Sequence, residues 1–451
     1  MIFDSMPPKR GVILAAPATG SGKTLLTLGI IRAFAAAGRG IAAFKTGPDY
    51  IDPAFHSAAL GRDDACLNLD GWAMGDATLS GLLASRDGDL VIGEGVMGLF
   101  DGARGVSGHD EQGRGDGSTA DLAARLGLPV ILIVDAKGQG ASLAALVAGF
   151  AKHRADIHVA AIILNRVSGE AHAALLKDAL APLGLPVLGA VPNAPDLILP
   201  SRHLGLVQAR ETADLSGLID RAADLVRRHI DLDALTSLAQ PLALAAPDPM
   251  PLIAPLGSRI AVARDDAFAF AYPAMLDGWR RAGGELTFFS PLADQAPDAA
   301  ANAVYLPGGY PELHAGRLAA NRHFLAGLKD TALSGSVVYG ECGGYMVMGE
   351  ELVDADGRTH RMAGLLHLAT SFAARKLHLG YRQIQTLGEP SALGAPDAAY
   401  RGHEFHYATV LREEGRPLFA LRDAAGKDLG SAGLRAGRVM GSFIHLIAQM
   451  R

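Results

Sequence analysis

The sequence predicts an α/β protein made of two doubly wound domains, and three observations carry that prediction. Apolar β-branched runs alternate with helical patterns through the first half, the rhythm of βαβ units around a mainly parallel sheet. A proline-rich stretch of small residues interrupts the chain near residue 250. A second strand-and-helix rhythm follows, and 451 residues are too many for a single core.

Taken in order, Gly11–Ala16, Ile41–Lys45, Leu90–Gly93, Val130–Asp135, Val159–Asn165 and Val187–Pro192 read as buried strands. Leu25–Ala37, Ala120–Leu126, Leu143–His153 and Glu170–Leu183 read as the helices between them. From Ala239 to Ser258 the chain turns to prolines (Pro241, Pro247, Pro249, Pro251, Pro255) among small apolar residues, the composition of a linker. Strands are expected again near Ile260–Arg264, Glu285–Phe289, Val304–Leu306 and Val337–Gly340. The expected domains are therefore 1–238 and 258–451, with 239–257 as the linker. Ligands of such sheets sit beyond the carboxyl ends of the strands, where most of the candidate residues below fall.

Composition excludes several classes. Apolar residues make up 49% and charged residues 20%, the balance of a globular enzyme. A formal net charge of −6 argues against a nucleic-acid partner, which calls for a basic face. No apolar run reaches the length of a membrane span, and Met1 to Arg10 lacks the apolar core of an export signal. Two cysteines, Cys66 and Cys342, cannot build a disulfide framework and suit a reducing cytoplasm.

The first strand runs through Ala16-Pro17-Ala18-Thr19-Gly20-Ser21-Gly22-Lys23-Thr24 into a helix. Glycines let backbone N–H groups turn inward around phosphate oxygens, and the helix N-terminus adds partial positive charge. Gly20, Ser21, Gly22, Lys23 and Thr24 are thus the expected ATP contacts, Lys23 on the β/γ-phosphates and the Thr24 hydroxyl on Mg²⁺. Pro17 stands where this motif usually begins with glycine. A plain glycine-rich turn is the competing reading, and the intact Gly-x-Gly-Lys-Thr between strand and helix argues against it.

Two further strands end in acidic segments, Lys45-Thr46-Gly47-Pro48-Asp49-Tyr50-Ile51-Asp52-Pro53 and Glu94-Gly95-Val96-Met97-Gly98-Leu99-Phe100-Asp101-Gly102. A lysine and several carboxylates beside a phosphate loop suit metal-assisted phosphoryl transfer. A carboxylate is a poor acyl donor, because its leaving group is oxide. Moving the ATP γ-phosphoryl onto it makes an acyl phosphate that ammonia attacks, provided the growing charge is neutralised. Asp49 and Glu94 join Thr24 as candidate metal ligands and Lys45 is the candidate charge stabiliser, although each alone fits an exposed turn. Asn165 ends another strand, where its amide suits either adenine or a cap.

In the second half, Val337-Val338-Tyr339-Gly340-Glu341-Cys342-Gly343-Gly344 runs from a strand into a helix. A residue on such a sharp turn is exposed at the top of the sheet, and the helix N-terminus is expected to lower the Cys342 pKa toward the thiolate. Backbone N–H groups of Gly343 and of Gly308-Gly309 are the expected oxyanion hole. The competing reading, a buried structural cysteine, fits the flanking glycines poorly. The base that such a thiol needs is open among His403, His406 and His445.

These segments together resemble the cobyrinic or hydrogenobyrinic acid a,c-diamide synthase family of cobalamin biosynthesis, over nearly the whole chain. Lys45 through Pro53 with Phe55-His56, Glu94 through Gly102, Leu306-Pro307-Gly308-Gly309-Tyr310-Pro311-Glu312 and the Cys342 turn carry the resemblance. It implies an N-terminal P-loop domain similar to dethiobiotin synthetase and a C-terminal class I glutamine amidotransferase domain. It also implies His445 as the partner of Cys342, Asp49, Asp52 and Glu94 as catalytic acids, and Asp101 near the ring substrate. Many class I glutaminases carry Glu two residues after the catalytic His, a position that is Ile447 here, and Glu404 is the candidate to orient His445 instead. The implied reaction amidates two peripheral carboxylates of hydrogenobyrinic or cobyrinic acid, the composition leaning toward the metal-free ring. The expected partners are a corrinoid ring, ATP and L-glutamine, with Mg²⁺ as cofactor, and a homodimer is compatible with them. Cobyric acid synthase, nickel-sirohydrochlorin a,c-diamide synthase and, outside ligases, a partitioning-type P-loop ATPase are the alternatives.

Overall fold

A computed structural model describes residues 9–199, 201–202, 205–248 and 250–450, so residues 1–8 and Pro249 of the sequence reading lie outside the described residues. The chain divides into two compact units, Met1–Gly102 with Ser107–Asp248 and Ala103–Val106 with Pro249–Arg451. Among the described residues no helix is long and apolar enough to cross a membrane.

The first unit is built on β1 (Arg10–Ala15), β2 (Ile41–Thr46), β3 (Leu67–Leu69), β4 (Leu90–Glu94), β5 (Val130–Asp135), β6 (Val159–Val167) and β7 (Val187–Pro192). They lie in the order β3-β2-β4-β1-β5-β6-β7, and every pairing among them is parallel. Parallel sheets are covered on both faces, which is why β2 and β4 are buried at every position instead of alternating. Each Val, Ile or Leu so buried contributes about 1.5–3 kcal/mol.

The covering helices are α1 (Lys23–Ala36), α2 (Asp52–Leu60), α3 (Asp76–Ala84), α4 (Thr119–Leu126), α5 (Leu143–Lys152), α6 (Glu170–Leu180) and α7 (Leu215–His229). Three of these, α2, α3 and α7, were not expected from the sequence, and neither was the three-residue β3. The start of α2 is hidden in Asp52-Pro53, where a proline that resembles a turn signal occupies the first turn, a position without need of its N–H. Helix α7 packs on α1 at Gly29, where a Cβ would stand 2.5 Å from the Ala222 carbonyl oxygen. Glycine is what lets these two helices approach.

The stretch expected to be a free linker is anchored on either side. Gln240–Pro241 pairs antiparallel with the start of β1, and Leu242 and Ala243 donate to the carbonyls of Lys9 and Leu126. Further on, the Ile253 carbonyl accepts from Trp279 Nε1 (3.0 Å) and that of Leu252 from the Gln449 N–H (2.8 Å). Proline thins out the donors of such a stretch without removing its acceptors.

In the second unit Glu285–Phe289, Arg259–Ala263, Ala303–Leu306, Val337–Glu341 and Val439–Ser442 pair in parallel, in that spatial order. The same sheet continues antiparallel through Asp428–Ala436, Arg416–Asp423, His378–Thr386, Ala399–His406 and Ile444–Gln449. Only Phe443 separates the strands Val439–Ser442 and Ile444–Gln449 along the chain, yet four strands lie between them along the hydrogen-bonded path. The sheet therefore curls back on itself. A smaller sheet of Thr359–Arg361, Glu351–Val353, His367–Ser371 and Thr409–Glu414 completes the unit.

Candidate active sites

In the first unit the order β2-β4-β1 sets three strand ends side by side. Lys45 lies in register with Glu94, and Glu94 with Leu14 just before the phosphate loop. The loop turns through positive φ at Gly20 (82°) and Gly22 (87°), a conformation that glycine adopts without strain. Thr24 Oγ1 donates to Glu94 Oε1 (2.8 Å) and lies 3.4 Å from Asp52 Oδ2. Lys45 Nζ donates to the same two oxygens, at 2.7 and 2.6 Å. His56 Nε2 takes the other Glu94 oxygen at 2.7 Å. Lys23 Nζ is held by the Met97 and Ala18 carbonyls at 2.7 and 3.3 Å.

The electrostatics follow from these contacts. Burial opposes both charges of the Lys45–Glu94 pair, but Asp52 and Glu94 outweigh it at Lys45 and raise its pKa, while Lys45 and His56 hold Glu94 far below the usual carboxylate range. Burial likewise opposes the His56 cation, but Glu94 lifts its pKa to about 10. Lys23 moves down, through burial and then the Lys45 charge.

Of the expected metal set Thr24, Asp49 and Glu94, the structure brings Thr24 and Glu94 into contact and sets Asp49 apart from them. Asp52 occupies the place beside Thr24 and Glu94, whereas Asp49 Oδ1 accepts the N–H groups of Ile51 (2.8 Å) and Asp52 (3.0 Å) at the start of α2. Desolvation and the Asp52 carboxylate push Asp49 up to about 6. The oxygens of Thr24, Asp52 and Glu94 are the hard donor set that Mg²⁺ takes, so the residues present fit that ion. Asn165 lies against the phosphate loop. Its Nδ2 donates to the Ser21 carbonyl (2.9 Å), and a Cβ on Gly22 would meet that nitrogen at 2.2 Å. That bond braces the loop. Asp101 is exposed, and its Oδ2 accepts the Gly98 N–H at 2.8 Å. The resemblance assigns His56 no role, and its contact with Glu94 is visible only in the fold.

In the second unit Cys342 follows the strand Val337–Glu341 at φ 47°, ψ −105°, a strained conformation for a residue other than glycine. Its N–H donates to the Ser442 carbonyl (2.8 Å), three residues before His445. Gly308 separates the two side chains: a Cβ there would stand 3.3 Å from Cys342 Cβ, 3.2 Å from His445 Nε2 and 2.4 Å from His445 Cε1. Gly309 N lies 3.0 Å from where a Cβ on Gly343 would be, so the two expected oxyanion N–H groups are brought together.

The helix after Cys342 has six residues, Gly343–Met348, and the thiol is 3% exposed. Burial, followed by Glu312, raises its pKa, against a lowering contact from the Gly343 N–H. The expected thiolate is therefore a neutral thiol at rest. Burial, then His403 and His406, lower His445 to about 3, so it is a neutral acceptor of a proton. Of the two rival bases, His406 is engaged by its neighbours. His406 has Nδ1 3.1 Å from the Ala408 carbonyl, Nε2 3.0 Å from Glu404 and its face on Phe443 (centroids 4.0 Å apart). His403 is the cross-strand neighbour of His445, lowered to about 4 by burial and Arg382. Glu404 does not orient His445: Arg382 takes Oε2 through Nε and Nη2 at 2.8 and 2.6 Å, and His406 takes Oε1.

A phosphate loop with a buried lysine–carboxylate cluster on one unit, and a cysteine–histidine pair on a strained turn of the other, define a nucleotide-using amide ligase with its own glutamine amidotransferase domain. Residues 12–207 match the CobQ/CobB/MinD/ParA nucleotide binding domain family, and residues 259–451 match the CobB/CobQ-like glutamine amidotransferase domain family. The chain is 54% identical to the hydrogenobyrinate a,c-diamide synthase of Brucella anthropi over 443 residues, 97% of this chain and 98% of that protein. It is 52% identical to that of Rhodobacter capsulatus over 440 residues, 97% and 99% of the two chains. The chain belongs to the hydrogenobyrinate a,c-diamide synthase family.

Proposed function

We propose that this chain converts the a and c carboxylates of hydrogenobyrinic acid into amides, with ATP and glutamine, as a cytoplasmic step of cobalamin biosynthesis. The observation that carries the reading is the match to proteins of that name across 97% of the chain. In this reading Gly20, Ser21 and Gly22 cradle the phosphates and Asn165 braces their loop. Lys23 and Lys45 neutralise charge as a ring carboxylate oxygen bonds to the γ-phosphorus and ADP leaves. Thr24, Asp52 and Glu94 would hold Mg²⁺, which supplies further charge neutralisation on the phosphates. Asp49 fixes the start of α2, and with it Asp52, and Asp101 faces the ring.

Ammonia comes from the second unit. The Cys342 thiol passes its proton to His445 Nε2 while sulfur bonds to the glutamine side-chain carbonyl carbon, the oxygen settling on the N–H groups of Gly309 and Gly343. The imidazolium returns that proton to the nitrogen, ammonia leaves, and water hydrolyses the thioester to glutamate. Ammonia then bonds to the acyl-phosphate carbon, and inorganic phosphate departs with the electron pair.

The test supplies purified protein, ATP, Mg²⁺ and glutamine with hydrogenobyrinic acid, cobyrinic acid or nickel-sirohydrochlorin in parallel, with products read by mass spectrometry. A diamide formed with highest kcat/KM from the metal-free ring is expected. Faster turnover of either metallated ring would replace the proposed substrate.

A further inference from the structure

One residue before the nucleophile, the Glu341 side chain is buried to 2% exposure within the second unit. Three donors fix its carboxylate: Tyr305 OH on Oε2 (2.8 Å), and Tyr339 OH (3.0 Å) with the Leu446 N–H (3.1 Å) on Oε1. The last of these ties the carboxylate to the strand that carries His445. Oε2 lies 3.7 Å from His445 Nδ1. That is longer than a hydrogen bond, yet close enough for strong attraction between opposite charges in a dry interior. Nδ1 is the nitrogen on the ring edge away from Nε2, which flanks Gly308 beside Cys342.

We propose that Glu341 is the positioning residue of the glutaminase pair, holding the His445 ring with Nε2 toward Cys342 and stabilising the imidazolium that forms when the thiol proton is transferred. The inference rests on Cys342 and His445 being that pair. Ile447, two residues past His445, has no polar group to serve, and Glu404 is committed to Arg382 and His406. A buried imidazolium beside His403 and His406 is costly, since both disfavour charge on His445 and Glu404 alone of the other neighbouring groups favours it. Glu341 supplies a second negative charge, at contact distance. Its tyrosine partners stay protonated as donors, because burial and then the Glu341 charge drive their pKa values well up. Burial lifts Glu341 itself to about 7, so its charged form is gained as pH rises through neutrality.

The experiment measures glutamine hydrolysis and ammonia-driven synthesis in the full chain for Glu341→Gln, Glu341→Asp and Cys342→Ala. Glu341→Gln is expected to lower glutaminase kcat by about 10²-fold, less than the about 10⁴-fold lost with the hydrogen-bonded carboxylate of other triads because the contact with Nδ1 is 3.7 Å, with KM for glutamine within about twofold and ammonia-driven synthesis retained. Glu341→Asp, which keeps the charge, is expected to recover about tenfold of that loss. Glutaminase kcat in Glu341→Gln within about threefold of the unsubstituted chain overturns the proposal. Hydrolysis surviving in Cys342→Ala overturns the pair beneath it, whereas loss in Cys342→Ala beside full activity in Glu341→Gln sinks the role of Glu341 alone. If Glu341→Gln does not fold, Tyr305→Phe serves instead. It removes one donor to the anion, so the acid limb of the glutaminase pH profile should move to higher pH by about half a unit or more, and an unmoved limb refutes the role.

Discussion

Glu94 gathers Thr24, Lys45 and His56 on its two oxygens. Glu94→Gln keeps the shape and removes the charge that Lys45 and His56 face. Synthesis should fall by about 10³-fold with glutamine or with ammonia, about 4 kcal/mol of transition-state stabilisation, while glutamine hydrolysis persists. Unimpaired ammonia-driven synthesis would remove Glu94 from the site. His56 makes a separate statement through stability. Its pKa rises from 6.5 to about 10 in the folded chain, so the folded state holds a proton that the unfolded state releases. Its contribution is complete below pH 6.5 and lost as pH climbs through 10. Thermal melts of the unsubstituted chain should therefore drop more steeply between those pH values than melts of His56→Gln. Equal slopes would show that His56 is not charged when folded. That Glu94 and Lys45 stand together is legible in the sequence because both end strands beside a phosphate loop. The pairing of Glu94 with His56 is not, since nothing in their spacing says that α2 lies over β4.

Two elements set the glutaminase geometry, the turn at Cys342 and the passage Ser442–His445. The first is readable from glycines around a cysteine after an apolar strand, and the second depends on Val439–Ser442 being the parallel neighbour of Val337–Glu341. Gly308 lies between the two side chains with no room for a methyl group, since that methyl would overlap His445 Cε1 at 2.4 Å. Gly308→Ala is thus expected to displace the histidine and cut glutamine hydrolysis by about 10²-fold, as misplacements near 1 Å do. Ammonia-driven synthesis should continue, and hydrolysis at the normal rate would show that the ring tolerates displacement. The antiparallel strands that carry His403 and His445 escaped the sequence reading. In Ala399–His406 the buried positions are Tyr400, Gly402, His403 and His406 while Phe405 is only partly buried, so the strand lacks the apolar alternation that marks a half-buried strand.

At the scale of the molecule, two amides must come from the single phosphate loop, the single Lys45/Asp52/Glu94 cluster and the single Cys342 turn of the described residues. One activation site phosphorylates one carboxylate at a time, and the two target side chains hang from different parts of a large, rigid ring. The ring must shift or leave between amidations. A pocket that grips both poses equally recognises each less specifically, which favours release. With ring substrate in large excess, free mono-amide should appear first and then decline as diamide rises. Diamide alone from the earliest turnovers would instead show processive repositioning. Asp101→Asn should alter the ratio of the two products more than it alters ATP binding, and an unchanged ratio would remove Asp101 from the ring's surroundings.

The sequence by itself determined the two α/β halves, the glycine-rich loop, the glycine-flanked cysteine turn and the family, because strand periodicity, glycine spacing and a strand-to-helix cysteine are local patterns. Only the tertiary structure decided which carboxylates stand together. Asp49 and Asp52 are three residues apart, yet the start of α2 turns one onto backbone N–H groups and the other onto Lys45. The curl of the second sheet decided that His445 faces Cys342, and that Glu341 rather than Glu404 lies against its far nitrogen. The reason is physical: hydrogen-bonded register and helix packing act between residues a hundred positions apart, where no spacing along the chain records them.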